Sequence, residues 1–289
     1  TGMTFIEALL KYKDNLQNDK FSSGMSLFGD MQEIKPVRPE YPLSVDADQM
    51  EILKNEKEMV GMYLSAHPLD KYRFELDHFA NCSLSGIAEI SARISQDAEA
   101  VAKGAAKIAD TVLDKTFWVA GIVTSADVRL TKTNRQMCRL TVEDFNGSFT
   151  FMLFGKTYEN FMQYCKVNEA LLIKCAVEKK FAKKDSQEPP RYDLSIKEMH
   201  LLSTVKDTFI KEFHINVPVE VLSDKFTKEL ASVCRRNKGE SRLFVNLFDR
   251  TKDLQVEFFS KKYFVSPDEE LLTFLKLNNI PYSIQKAKL

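Results

Sequence analysis

The chain has 289 residues, 44% hydrophobic and 28% charged, which is long for one hydrophobic core and ordinary for a globular fold. Its 41 basic and 41 acidic residues cancel, so net charge alone points to no polyanionic partner. Five scattered cysteines without a C-x-x-C pair, and four histidines away from ligand spacing, fit neither a disulfide framework nor a zinc site and read as reduced thiols. No apolar run approaches the ~20 residues that span a bilayer, and no signal-peptide pattern opens the chain, so no membrane partner is expected. The charge is unevenly spread. Residues 1–115 carry 13 Lys and Arg against 19 Asp and Glu, residues 116–203 carry 13 against 10, and residues 204–289 carry 15 against 12.

A helix is expected almost at once, because Thr4 and Glu7 form a T-x-x-E capping box ahead of Ile6, Leu9, Leu10 and Leu16. A chain that starts inside such an element, on Thr-Gly-Met, is expected to be a piece of a larger protein. Residues 19–43 follow, rich in Ser, Gly and Pro, with Pro36, Pro39 and Pro42, and read as a linker. Within it, Met25, Leu27 and Phe28 either fold back on the helices or serve a partner. A second helix is expected from Asp46 as cap, with Met50, Leu53, Val60 and Leu64 at near-helical spacing and Pro68 stopping it at His67. Asp46-Ala47-Asp48 is the one D-x-D of the chain. Its helical context makes it a cap and a first-turn carboxylate, not a pair of metal ligands.

The run Glu56–Leu69, EKEMVGMYLSAHPL, resembles a signature of the bacterial replicative DNA polymerase III α subunit, a C-family DNA polymerase. In that family it lies between the fingers region and an oligonucleotide/oligosaccharide-binding (OB) domain. The resemblance implies that residues 1–115 are the helical end of the fingers and helix-hairpin-helix region. It also implies a sliding-clamp (β subunit) peptide in the linker. Gly24-Met25-Ser26-Leu27-Phe28 matches that peptide at Ser26, Leu27 and Phe28, with Met25 near to Leu and Gly24 replacing the usual Gln. Leu27 and Phe28 would be its anchors, weak alone and effective as a tether.

From Phe117 the pattern becomes strand-like. FWVAGIVTSADVRL and the polar hairpin TKTNRQ precede MCRLTVED, where Cys138, Leu140 and Val142 alternate inward. Asn146-Gly147 marks a hairpin into SFTFMLF. A short helix at 156–164 and the strands ALLIKCAVEKKF and RYDLSIKEMHLL complete three strands, a helix and two strands, the order of a five-stranded OB barrel over 116–203. OB barrels bind single strands through a basic groove and aromatic platforms. The basic candidates are Arg129, Lys132, Arg135 and Arg139, with Lys156 on the following helix. Lys179, Lys180, Lys183 and Lys184 read as a solvated loop. Phe149 and Phe151 share a face with Leu153 and read as core, and Trp118 fits either role.

Residues 204–289 read as a β-α-β-β-α-β module. HINV is a short strand before Pro218; Ser223 caps a helix closing at Lys238-Gly239; RLFVNLF and LQVEFF form a hairpin. Pro267 is expected at the first position of a last helix. By resemblance this module binds the τ subunit of the clamp loader, with no residue singled out.

The expected whole is a multidomain α+β chain of helical linker region, OB barrel and small α+β domain. It has no catalytic residues, metal site or cofactor of its own, the parent polymerase using Mg²⁺ on a palm domain elsewhere. A cytoplasmic location and single-stranded DNA as partner are implied. An independent single-stranded-DNA-binding OB protein, a transfer-RNA-binding barrel and the error-prone paralogue of the same family are the alternatives.

Overall fold

A computed structural model describes residues 5–22, 38–39, 49–61, 63–102, 115–180, 191–249, 251–252 and 254–287. The candidate clamp peptide Gly24–Phe28, the Thr4 and Asp46 caps, and Lys183 and Lys184 lie outside these residues. The chain separates into two compact units, Thr1–Ser65 and Ala66–Leu289, so helices that the sequence reading placed in 1–115 belong to the same unit as both sheets.

The first unit holds α1, Phe5–Ser22, and α2, Gln49–Val60. The second helix stops earlier than expected. Gly61 takes φ +86° and its N–H donates to the Lys57 carbonyl, a left-handed terminus that ends the helix well before Pro68. Leu64 is therefore exposed, while Leu53 is buried. The Glu56 carboxylate accepts from the N–H groups of Leu64 and Ser65 at 2.8 and 3.0 Å, and the Ser65 bond first of all holds its pKa below the usual range.

The second unit begins with a turn that the HPL residues define. His67 N–H donates to Asp70 Oδ2, Leu69 N–H to His67 Nδ1, and Leu69 is fully buried. Helix α3, Arg73–Phe79, follows, then α4, Leu84–Ala102. Ser83 Oγ accepts from Gly86 N–H ahead of α4, and Leu84, Ile87 and Ile94 form its buried stripe.

Strands β1 Thr116–Leu130, β2 Gln136–Glu143 and β3 Ser148–Phe154 precede helix α5, Lys156–Phe161, and strands β4 Ala170–Lys180 and β5 Arg191–Leu201. All pairings are antiparallel, in the order β3-β2-β1-β4-β5. Register shifts at Val123/Ser125 in β1 and Lys174/Cys175 in β4 add local twist, and all five strands contribute to one core. Cys138, Leu140, Val142 and Leu153 point into that core with no exposure, as their alternation requires, and Phe151 joins them. Leu84 and Ile87 of α4 enter the same core, and α4 packs on β1, β3 and β5.

Helix α6, Leu202–Phe209, leads without a linker into β6, Ile210–Pro218, so a boundary at 203/204 falls inside a helix. Helix α7 Asp224–Arg236, strands β7 Lys238–Asp249 and β8 Leu254–Val265, helix α8 Glu269–Leu277 and strand β9 Tyr282–Lys286 complete the chain. The sheet order is β8-β7-β6-β9, with β6 and β7 parallel across α7. Its core joins Phe213, Ile215 and Val217 to Phe226, Val233, Leu271 and Leu275. Two expected ends move. Ser223 does cap α7, but Lys238-Gly239 opens β7 rather than closing the helix, and glycine is needed there because a Cβ would lie 2.5 Å from Ser266 N. Pro267 is outside α8, whose cap is Asp268, and Asp268 Oδ1 is taken by Ser266 Oγ and Lys206 Nζ.

Candidate nucleic-acid interface

The side of β1–β3 opposite the core is built in lateral rows. Arg129, Met137 and Phe154 are paired neighbours across the three strands; Asp127, Arg139 and Met152 form the next row; Ser125, Thr141 and Thr150 form the third. Because side chains alternate, these rows share one face. Met152 and Phe154 are 45% and 52% exposed, and the Thr141 and Thr150 hydroxyls lie 3.0 Å apart.

The β1–β2 hairpin stands at the Arg129 end of this face. Thr131 N–H donates to the Arg135 carbonyl, Asn134 N–H to the Thr131 carbonyl and Arg135 N–H to Thr131 Oγ1, at 2.8, 2.9 and 3.1 Å. Asn134 takes φ 57°, a conformation Asn tolerates better than most residues. A turn closed by three bonds holds Lys132 and Arg135 in solvent. Gly155 N–H donates to the Gln136 carbonyl, which sets the start of α5, and thus Lys156, beside the base of the hairpin.

The five cations selected from sequence, Arg129, Lys132, Arg135, Arg139 and Lys156, therefore gather at one end of one sheet face. Arg129 is paired with Asp127 at 2.7 Å. The other four have no ion-pair partner among the described residues. The side chains of Lys179 and Lys180 lie outside the described residues, as does the loop 181–190.

Phe149 is half-buried and packs against the core, and Phe151 is 3% exposed, so both belong to the core side of the strand. Trp118 is buried as well. Its ring lies 6.3 Å from His200 and 6.4 Å from Phe209, with Lys174 Nζ 5.1 Å away. The residues missed from sequence are Met137, Met152 and Phe154. Their signal was present, since reading 149, 151 and 153 inward turns 150, 152 and 154 outward.

At its other end β2 meets β3 through Asp144-Phe145-Asn146-Gly147. The Asp144 carboxylate accepts from Leu84 N–H at 2.7 Å, Asn146 N–H at 2.8 Å and Gly147 N–H at 2.9 Å. His67 and Arg73 lie over the Phe145 ring at 4.4 and 4.5 Å. The HPL segment thus anchors the sheet at the end remote from the cations.

Chemically, the face and its hairpin offer four cations without an ion-pair partner among the described residues, one exposed ring and two hydroxyls. That set suits phosphates and a stacked base, and offers no general acid–base pair. Among the described residues no three His, Cys, Asp or Glu side chains converge as metal ligands. The five cysteines are free, and burial pushes the thiols of Cys165 and Cys175 up to about 12 and that of Cys234 up to about 11.

These features define an α+β chain built on a five-stranded antiparallel sheet and a smaller four-stranded sheet. Residues 213–285 match the family described as "DNA polymerase III alpha subunit, C-terminal domain". DNA polymerase III subunit alpha of Borreliella burgdorferi is 24% identical over 278 residues, covering 94% of this chain and 22% of the relative. That of Haemophilus influenzae is 21% identical over 272 residues, covering 93% and 21%. The chain is related to the C-terminal region of the DNA polymerase III α subunit and spans about a fifth of the length of these relatives. Among solved structures, the mitochondrial single-stranded DNA binding protein Rim1 of S. cerevisiae aligns with 30% of this chain and 95% of its own, at 11% identity and a TM-score of 0.22, too slight a likeness to carry weight.

Proposed function

We propose that the chain is a non-catalytic C-terminal part of a replicative DNA polymerase α subunit, and that residues 116–203 form an OB barrel holding single-stranded template. The strand order and the helix between β3 and β4 support the barrel assignment. OB barrels use the outer face of their second and third strands, flanked by the loop between the first two. The observation that carries the reading is that this face is the one bearing Arg139, Met152 and Phe154, with Lys132 and Arg135 on the flanking loop. Backbone phosphates would take the cations, one base would stack on Phe154, and no base edge would be read. Residues 24–28 dock on the sliding clamp, residues 204–289 on the τ subunit of the clamp loader, and the cell compartment is the cytoplasm. Nucleotidyl transfer, with its Mg²⁺, belongs to a part of the polymerase other than this chain.

Fluorescence anisotropy with an oligothymidylate tests the barrel. Four phosphate-neutralising cations give a slope of log K against log salt of about −3, at roughly −0.7 per contact on a single strand. Replacing Lys132, Arg135 and Arg139 by alanine flattens that slope by about 2 by the same relation. Phe154→Ala weakens binding by about 1–3 kcal/mol at every salt concentration and leaves the slope alone. A flat profile in the unsubstituted protein rejects the interface.

For the linker peptide, Leu27→Ala with Phe28→Ala lowers affinity for the purified clamp by more than ~30-fold, since a buried anchor contributes upwards of 2 kcal/mol. Surface plasmon resonance against immobilised clamp reads this directly, and unchanged affinity removes the assignment.

A further inference from the structure

We propose that the cavity between the end of α7 and the β8 strand, walled by Arg235, Lys238, Lys262, Tyr263 and Phe264, binds a phosphate group. It encloses about 340 Å³, and among the described residues lining it there are three cations and no carboxylate. None of the three cations forms an ion pair among the described residues.

The acidic side chains of the flanking elements stay out of the lining. Glu270 takes Arg236 at 2.6 Å and the Asn237 amide at 3.0 Å. Glu240, exposed next to Gly239, is not one of the residues lining the cavity. The lining cations thus have no ion-pair partner among the described residues.

Its polar groups also converge. Arg235 Nε donates to Tyr263 Oη at 3.4 Å, which leaves the phenolic proton free to donate to an anion. That bond, first of all, lowers the pKa of Tyr263 and makes the hydroxyl a stronger donor. Lys262 Nζ lies 5.6 Å from the Tyr263 ring, and Phe264 beside it is 47% exposed. A guanidinium fork, two ammonium groups and a hydroxyl match a tetrahedral oxyanion, and the rings provide an apolar wall for what it is attached to. The phosphate is either that of a nucleic-acid backbone or that of a soluble phosphoryl compound. The inference does not depend on the barrel reading.

Lysine acetylation read by mass spectrometry on the full chain, at constant ionic strength, tests it. Sodium pyrophosphate or oligothymidylate is expected to protect Lys238 and Lys262 while exposed Lys228 of α7 reacts unchanged. Arg235→Ala raises the half-protecting concentration by about tenfold, the equivalent of one charge-assisted hydrogen bond. Tyr263→Phe, which keeps the ring, raises it less. Protection by oligothymidylate at a lower phosphate concentration than by pyrophosphate assigns the backbone, and the reverse assigns a soluble compound. Equal protection of Lys228, protection by polyglutamate alone, or indifference to Arg235→Ala overturns the site.

Discussion

Lys206→Met is expected to lower stability by about 3–5 kcal/mol, the cost of leaving a buried charge without its partner. Lys206 Nζ lies 3.3 Å from Glu75 Oε1 and 3.3 Å from Asp268 Oδ1. Glu75 is 2% exposed, and its Oε2 has no hydrogen-bond partner among the described residues. The lysine, on α6, therefore ties α3 to the start of α8. Burial raises the pKa of Glu75, with Lys206 opposing, and burial followed by Asp268 and Glu240 raises that of Asp207. A carboxyl whose pKa is higher folded than unfolded contributes its full stability below the unfolded value. That contribution is lost as pH rises through the folded value. For Glu75 the window opens upward from its ordinary 4.5. Urea unfolding at several pH values should show stability falling across that window, more steeply in Lys206→Met and less in Glu75→Gln. Combining the two substitutions should restore much of the loss. A Lys206→Met protein within about 0.5 kcal/mol of the parent, the range of ordinary surface changes, would dismiss the tie.

Asp144→Ala should cost about 3 kcal/mol or more, because three backbone donors lose one charged acceptor. One of them, Leu84 N–H, starts α4; the other two shape the β2–β3 turn. Asp144→Asn keeps one acceptor oxygen and should fall between. The turn is separated from the cationic hairpin by the length of β2, eight residues or about 26 Å at the usual rise. Oligothymidylate affinity of the folded variant should therefore stay at the parental level while its thermal midpoint drops. An unshifted midpoint would show that the carboxylate does not organise the corner.

Much of this was legible in the residues. Strict alternation at Cys138, Leu140 and Val142 gave strand, face and core together, and Asn146-Gly147 gave the turn. The helices at 73–79, 84–102 and 202–209 were not read. The first is only seven residues, and the third carries no terminator before a strand. For 84–102, Ser83 and the stripe at Leu84, Ile87 and Ile94 were available, but its packing on the sheet is a long-range fact. The early stop at Gly61 was hidden because Pro68 is the louder signal, although a glycine able to turn left-handed ends a helix as firmly. The cations were identifiable by type. That Asp127 pairs with Arg129, and that Arg129, Met137 and Phe154 fall in one row, needed the register.

Helix α4 brings Leu84 and Ile87 into the core that the five strands share, so the apolar face of the sheet is covered by chain that precedes its first strand. Trimming the polypeptide back to Thr116 would keep every strand of the sheet and remove that cover, opening its oily side to water. The heritable, transplantable unit is therefore larger than its strands: shuffling or grafting would have to carry the preceding helices along, from Leu69 onward.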